Sequence, residues 1–132
     1  MNRYVYFGNR DEFYRIDSSQ IVYIVASGNY TYMKLASRET FLSFTLSLQK
    51  MQAYLSEELG KEALTFMRIG KTYIINLAYV FYINIPQQRL ILRDKITREE
   101  YAIPSKETLP ISKEALKDLR ERLTNQKKLT NQ

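Results

Sequence analysis

A chain of 132 residues with no cysteine and no histidine has the length of one domain. It is also denied disulfides, a thiol nucleophile, an imidazole base and the commonest metal ligand. Its 20 Lys and Arg against 14 Asp and Glu give a net charge of +6, which favours a polyanionic partner. The acids are mostly interleaved with bases, so carboxylate catalysis and a carboxylate metal site lack the clustering they need, and neither an enzyme, a metal nor a cofactor is expected. The N-terminus, MNRYVYFGNRDEF, has no apolar signal core, and no run approaches the ~18 residues of a membrane span. The expectation is a cytoplasmic protein with no membrane partner.

Eleven Tyr and six Phe without a Trp, many beside β-branched residues, make a strand-rich composition. In chain order, YVYF (4–7), EFYRI (12–16) and QIVYIVA (20–26) read as strands, each stopped by turn residues, the last by Ser27-Gly28-Asn29. In YTYMKL (30–35), Tyr30, Tyr32 and Lys34 alternate with Thr31, Met33 and Leu35, and SRET turns the chain into FLSF (41–44). The period then changes. Leu48, Met51, Leu55 and Leu59 recur at helical spacing, Ser47 can cap and Gly60 can terminate, which predicts a helix at about 47–59.

Strands are expected next at 64–69, 72–76, 79–85, 89–93 and 98–104. Pro110, a capping Ser112 and the stripe Leu116, Leu119, Leu123 predict a closing helix at about 113–123. The tail 124–132 is polar and expected to be frayed or disordered. Strands and helices do not alternate, so small antiparallel sheets are expected rather than a parallel doubly wound sheet.

Gly70-Lys71-Thr72 has the three letters that end a nucleotide-binding P-loop. A P-loop also needs a glycine five positions earlier and a helix afterwards, with phosphate at its N-terminus. Here Thr65 stands at that earlier position and Tyr-Ile-Ile follows, a strand-forming run. The residue pattern alone therefore reads as a hairpin whose loop is Gly70-Lys71.

The order IVYIVASGNYTYMKL, then SLQKMQAYL, FMRIGKTYIINLAYV and PISKEALKDL resembles the LytTR DNA-binding domain of bacterial response regulators. The central motif of that family is Phe-x-Arg-x-His-[Arg/Lys/Asn]-Ser-aromatic-aliphatic-aliphatic-Asn. Phe66, Arg68, Tyr73, Ile74, Ile75 and Asn76 match it, while the His-Arg-Ser triplet is replaced by Gly70-Lys71-Thr72. A further departure is the long connection after RLILRD, with Pro104 and Pro110 bracketing SKETL. The resemblance covers about 14–122. It implies one domain at 1–123, with strands 4–16 a candidate extension, and an elongated, mainly β arrangement of small sheets whose loops enter major grooves of duplex DNA. Carried over by position, the DNA-facing residues are Asn29 and Tyr30 in the first turn, Gly70, Lys71 and Thr72 in the second with Arg68 beside them, and Ser112 and Lys113 at the last helix.

Each site has a bland reading beside the functional one. A lysine held at a rigid hairpin tip can meet guanine O6/N7 or a phosphate, whereas most turn lysines are only soluble. Lys113 follows a capping serine at the positive end of a helix dipole, where a bound phosphate would reverse an unfavourable placement. Asn29 is of a type that tolerates left-handed turns, Arg68 can brace the loop or reach a phosphate, and Asn76 can satisfy backbone at its strand end. The expected function is sequence-specific binding of duplex DNA, on repeated sites, as a transcriptional regulator. A homodimer on DNA and a separate sensor or receiver protein are expected partners. The alternatives are a protein-interaction module that keeps the fold without the DNA contacts, and a single-strand binder using exposed Tyr.

Overall fold

The computed structural model describes residues 3–103 and 111–130, which form ten strands and two helices. They fall into two compact units, Met1–Asn76 and Leu77–Gln132. The bracketing Pro104 and Pro110 lie outside the described residues.

In the first unit, β1 (Tyr4–Gly8) and β2 (Phe13–Asp17) make a hairpin. The Asn9 carboxamide oxygen shapes its turn by accepting from the amides of Asp11 and Glu12. Then come β3 (Ile21–Ser27), β4 (Tyr30–Leu35), β5 (Leu42–Phe44), α1 (Leu48–Leu59), β6 (Phe66–Ile69) and β7 (Tyr73–Asn76). The last five strands form one antiparallel sheet in the order β5-β4-β3-β7-β6. Two hairpins, β3–β4 and β6–β7, are thus joined by pairing of β3 with β7.

Ser47 caps α1 by accepting from the Lys50 amide at 3.1 Å, and Gly60 ends it at φ +56°. The buried stripe Leu48, Met51, Leu55 and Leu59 packs into a core with Ile24, Met33, Leu42 and Ile74 from one sheet face and Val5 and Ile16 from the first hairpin. Burying one such side chain contributes about 1.5–3 kcal/mol, so this face fixes where α1 lies. A 3-10 turn at Gly60–Thr65 replaces the first residues of the strand expected from 64. Another, Leu77–Tyr79, delays the strand expected from 79.

The second unit holds β8 (Val80–Asn84), β9 (Arg89–Arg93), β10 (Glu100–Ile103) and α2 (Lys113–Thr130), with sheet order β10-β9-β8. Leu90 and Leu92 alternate with Arg89, Ile91 and Arg93, as a strand with one covered face should. Leu116 and Leu119 of α2 are fully buried. The helix extends seven residues past the expected end at 123, so most of the expected tail is helical. No Gly or Pro interrupts Asn-Gln-Lys-Lys-Leu, and Gln, Lys and Leu are good helix formers. The architecture is mainly β, in small antiparallel sheets with two helices.

Asn76 and Lys34 are among the polar side chains that are buried against their type. Asn76 is 1% exposed and its amide donates to the Ile21 carbonyl at 2.8 Å. Lys34 is 5% exposed, although alternation puts it with Tyr30 and Tyr32. Its ammonium donates to the Leu35 carbonyl at 3.3 Å and to that of Arg38, holding the turn in which Ser37 adopts φ +62°. Opposite Lys34 stands Tyr23, whose hydroxyl is pushed up to about 12 by burial and then by the neighbouring Tyr73.

Asn76→Ala leaves a buried carbonyl without its amide donor and is expected to destabilise by about 1–3 kcal/mol in denaturant unfolding. For Tyr23 the folded state holds its proton more tightly than the unfolded chain does. Its contribution is therefore complete below the ordinary value of 10.0 and lost as pH rises toward about 12. Stability measured across that window should fall in the wild type, and Tyr23→Phe should remove that part of the fall.

Candidate nucleic-acid interface

Gly70, Lys71 and Thr72 form a three-residue loop from β6 to β7, one longer than the Gly70-Lys71 loop expected. A strand follows where a P-loop requires a helix, so no helix N-terminus faces this loop. Gly70 adopts φ +61°, and a Cβ built on it meets nothing within 4 Å. The glycine therefore serves the turn, and the space beside it is open. Lys71 is exposed, and no hydrogen bond or ion pair engages it among the described residues.

The other turn is the two-residue loop Gly28-Asn29, closed by the pair Ser27 and Tyr30. Gly28 takes the positive φ, +60°, and Asn29 does not. The left-handed role expected of Asn29 thus falls on its neighbour. The Asn29 amide is exposed and unengaged among the described residues. Tyr30 is 46% exposed, its ring 6.3 Å from that of Tyr32.

Antiparallel pairing of β3 and β7 brings these two turns to the same end of the sheet. Val25 lies opposite Tyr73, and one residue further on the Ala26 amide donates to the Thr72 carbonyl at 2.8 Å. The loops carrying Asn29 and Lys71, far apart in sequence, are therefore adjacent and share a hydrogen bond at their base. Arg68 lies across from Ile74, on the sheet face that packs on α1. Its Nε donates to the Gly70 carbonyl at 3.2 Å and its Nη1 to Gln52 Oε1 at 3.4 Å. It braces the loop. Gln52, on α1, was not singled out by sequence, since an exposed helical Gln carries no signal of its own.

Ser112 and Lys113 belong to the second unit. Both are exposed, and Ser112 Oγ accepts from the Ala115 amide at 3.1 Å, which makes it the N-cap of α2. Glu114 is the acid of the first turn. An open cleft of about 590 Å³, lined by Phe7, Tyr14, Phe41 and Phe44 among others, lies beside the β1–β2 hairpin and contains none of these residues. Among the described residues there is no group of three or more carboxylates that could hold a metal, and no helix is long and apolar enough to cross a membrane.

The family model of the LytTr DNA-binding domain matches residues 11–124. Among solved structures, the chain is similar to the LytTr DNA-binding domain of a methyl-accepting/DNA response regulator from Bacillus cereus. The identity is 18%, with 93% of this chain and 98% of that one covered and a TM-score of 0.57. At that identity the likeness establishes the fold. No curated protein matches the chain. Since the family model spans most of its length, the chain belongs to the LytTr DNA-binding domain family.

Proposed function

We propose that this chain is the DNA-reading part of a bacterial transcriptional regulator, non-enzymatic, which binds duplex DNA with sequence specificity by placing its loops in major grooves. The observation that carries this reading is the pair of adjacent turns in a chain of a DNA-binding family. One presents the Asn29 amide and the other the Lys71 ammonium, both unengaged among the described residues, on backbones tied by the Ala26–Thr72 hydrogen bond. An amide can pair with adenine N6/N7, and a lysine with guanine O6/N7 or a phosphate.

In this reading Lys71 and Asn29 are the principal contacts. Tyr30 and Thr72 supply hydroxyls beside them, Gly70 admits close backbone approach, and Ser112 and Lys113 hold a phosphate at the start of α2. Arg68 serves the same site from behind. Residues 1–123 then work as one DNA-binding domain with strands 4–16 as an extension, supported by a family match over residues 11–124. The same reading includes repeated target sites and a homodimer on DNA, as the family resemblance implies, together with a sensor or receiver on another chain and a cytoplasmic location.

Duplexes selected from a random pool provide the test. Lys71→Ala and Lys113→Ala should each weaken binding to the selected duplex by about 1–3 kcal/mol, and each lost phosphate contact should reduce the salt slope by about 0.9. Equal affinity of the wild type and the double variant would sink the proposal. A binding curve indifferent to salt would point instead to a protein-interaction module.

A further inference from the structure

We propose that Gln52 and Arg68 are positioning residues: a relay from α1 through the Arg68 guanidinium to the Gly70 carbonyl sets the direction in which Lys71 leaves the hairpin tip. This rests on the DNA-reading function and adds how the tip is pre-organised for it. The tip needs such a device. Gly70 sits at φ +61° with open space around it, so packing does not hold it, and glycine has more conformational freedom to lose than any other residue.

Hydrogen bonds hold it on both flanks. Before Lys71, the Gly70 carbonyl accepts from Arg68 Nε at 3.2 Å, and after it the Thr72 carbonyl accepts from the Ala26 amide at 2.8 Å. Arg68 is itself referred to the core. Its Nη1 reaches Gln52 Oε1 at 3.4 Å, and Gln52 follows Met51 and precedes Leu55, both fully buried. Anchored to that helix, the guanidinium gives the loop a fixed reference on edge strand β6, where no further strand can supply one. Lys71 then combines a fixed backbone with an unengaged side chain, and fixing a loop in its bound conformation reduces the entropy lost on binding. Because Arg68 spends two donors inside the protein, its contribution to DNA binding runs through Lys71.

Backbone ¹⁵N relaxation of the free full chain reads the relay without DNA. Gln52→Met and Arg68→Met should each lower the order parameters of the Lys71 and Thr72 amides from the rigid value of about 0.85 toward the flexible range below about 0.6. Ile74 should be unchanged, and Gln52→Glu, which keeps the acceptor, should restore the wild-type values. Rigid Lys71 amides in both Met variants overturn the proposal. In titrations with the selected duplex and a scrambled one, both variants should lose about five- to tenfold in discrimination, as coupled neighbours do, with the salt slope intact. A slope reduced by about 0.9 in Arg68→Met, with both duplexes weakened equally, assigns Arg68 to phosphate and overturns the relay. So does a loss of discrimination in Arg68→Met that Gln52→Met fails to reproduce, since Arg68 then reads a base. A wild type indifferent to the two duplexes refutes the functional reading, while the relaxation result still decides the relay.

Discussion

Pairing of β3 with β7 is the constraint on which the first unit depends. Each of its two hairpins is local, closed by a short turn, and an isolated two-stranded hairpin is at best marginal in water. Tyr23 opposite Ile75, Ile24 opposite Ile74 and Val25 opposite Tyr73 turn the two into one five-stranded sheet. The closure spans about fifty residues, and its entropy cost grows only as the logarithm of that length. What offsets it is the apolar face assembled in the same step, Ile24 and Ile74 meeting Met51 and Leu55 of the helix that the intervening chain forms. Adjacency of the two turns is a by-product of the register. A slip of one residue would turn the apolar face of one hairpin away from the core and separate the Thr72 carbonyl from the Ala26 amide.

Two cations close in sequence have opposite fates at this tip, and geometry decides which. Arg68 faces the sheet side lined by Ile24 and Ile74, where an unpartnered guanidinium is costly, and its rigid fork can engage a backbone carbonyl and an amide at once. Lys71 lies beyond the last strand pair, where a compact ammonium remains hydrated at no cost. Lys34 shows the third outcome. Its strand position puts it below the surface, and it stays there because backbone carbonyls of Leu35 and Arg38 receive it.

Much of this was legible in the sequence where the signal was local. Ser47, the four apolar residues from Leu48 to Leu59 and Gly60 specify α1 with its cap and terminator, and the structure repeats them. Ser112 likewise marks the start of α2, and the order of elements carries the resemblance to the family. What escaped was set by partners that the local residue pattern does not name. Nothing in YTYMKL says that Lys34 will be buried, because its burial depends on the turn that follows. Nor does SLQKMQ say that Gln52 will meet Arg68 sixteen residues later. The end of α2 lies beyond the expected 123 for a different reason: polarity alone does not break a helix that contains no Gly or Pro.

Asparagine at a turn usually has a backbone task, and this chain contains the comparison that shows when it does not. Asn9 accepts from the amides of Asp11 and Glu12, and Asn84 from that of Gln87. Both side chains are consumed in making their turns. At the tips of the large sheet the backbone work is done by glycine instead, Gly28 and Gly70 carrying the positive φ values. Asn29 and Lys71 are thereby left without a backbone task, and no partner engages either side chain among the described residues. Ser112 divides the labour in the same way in the second unit: its hydroxyl is committed to the Ala115 amide, so the cap satisfies one donor of the helix start. Lys113 is then left as a cation at the positive end of the dipole, with Glu114 the acid of that turn.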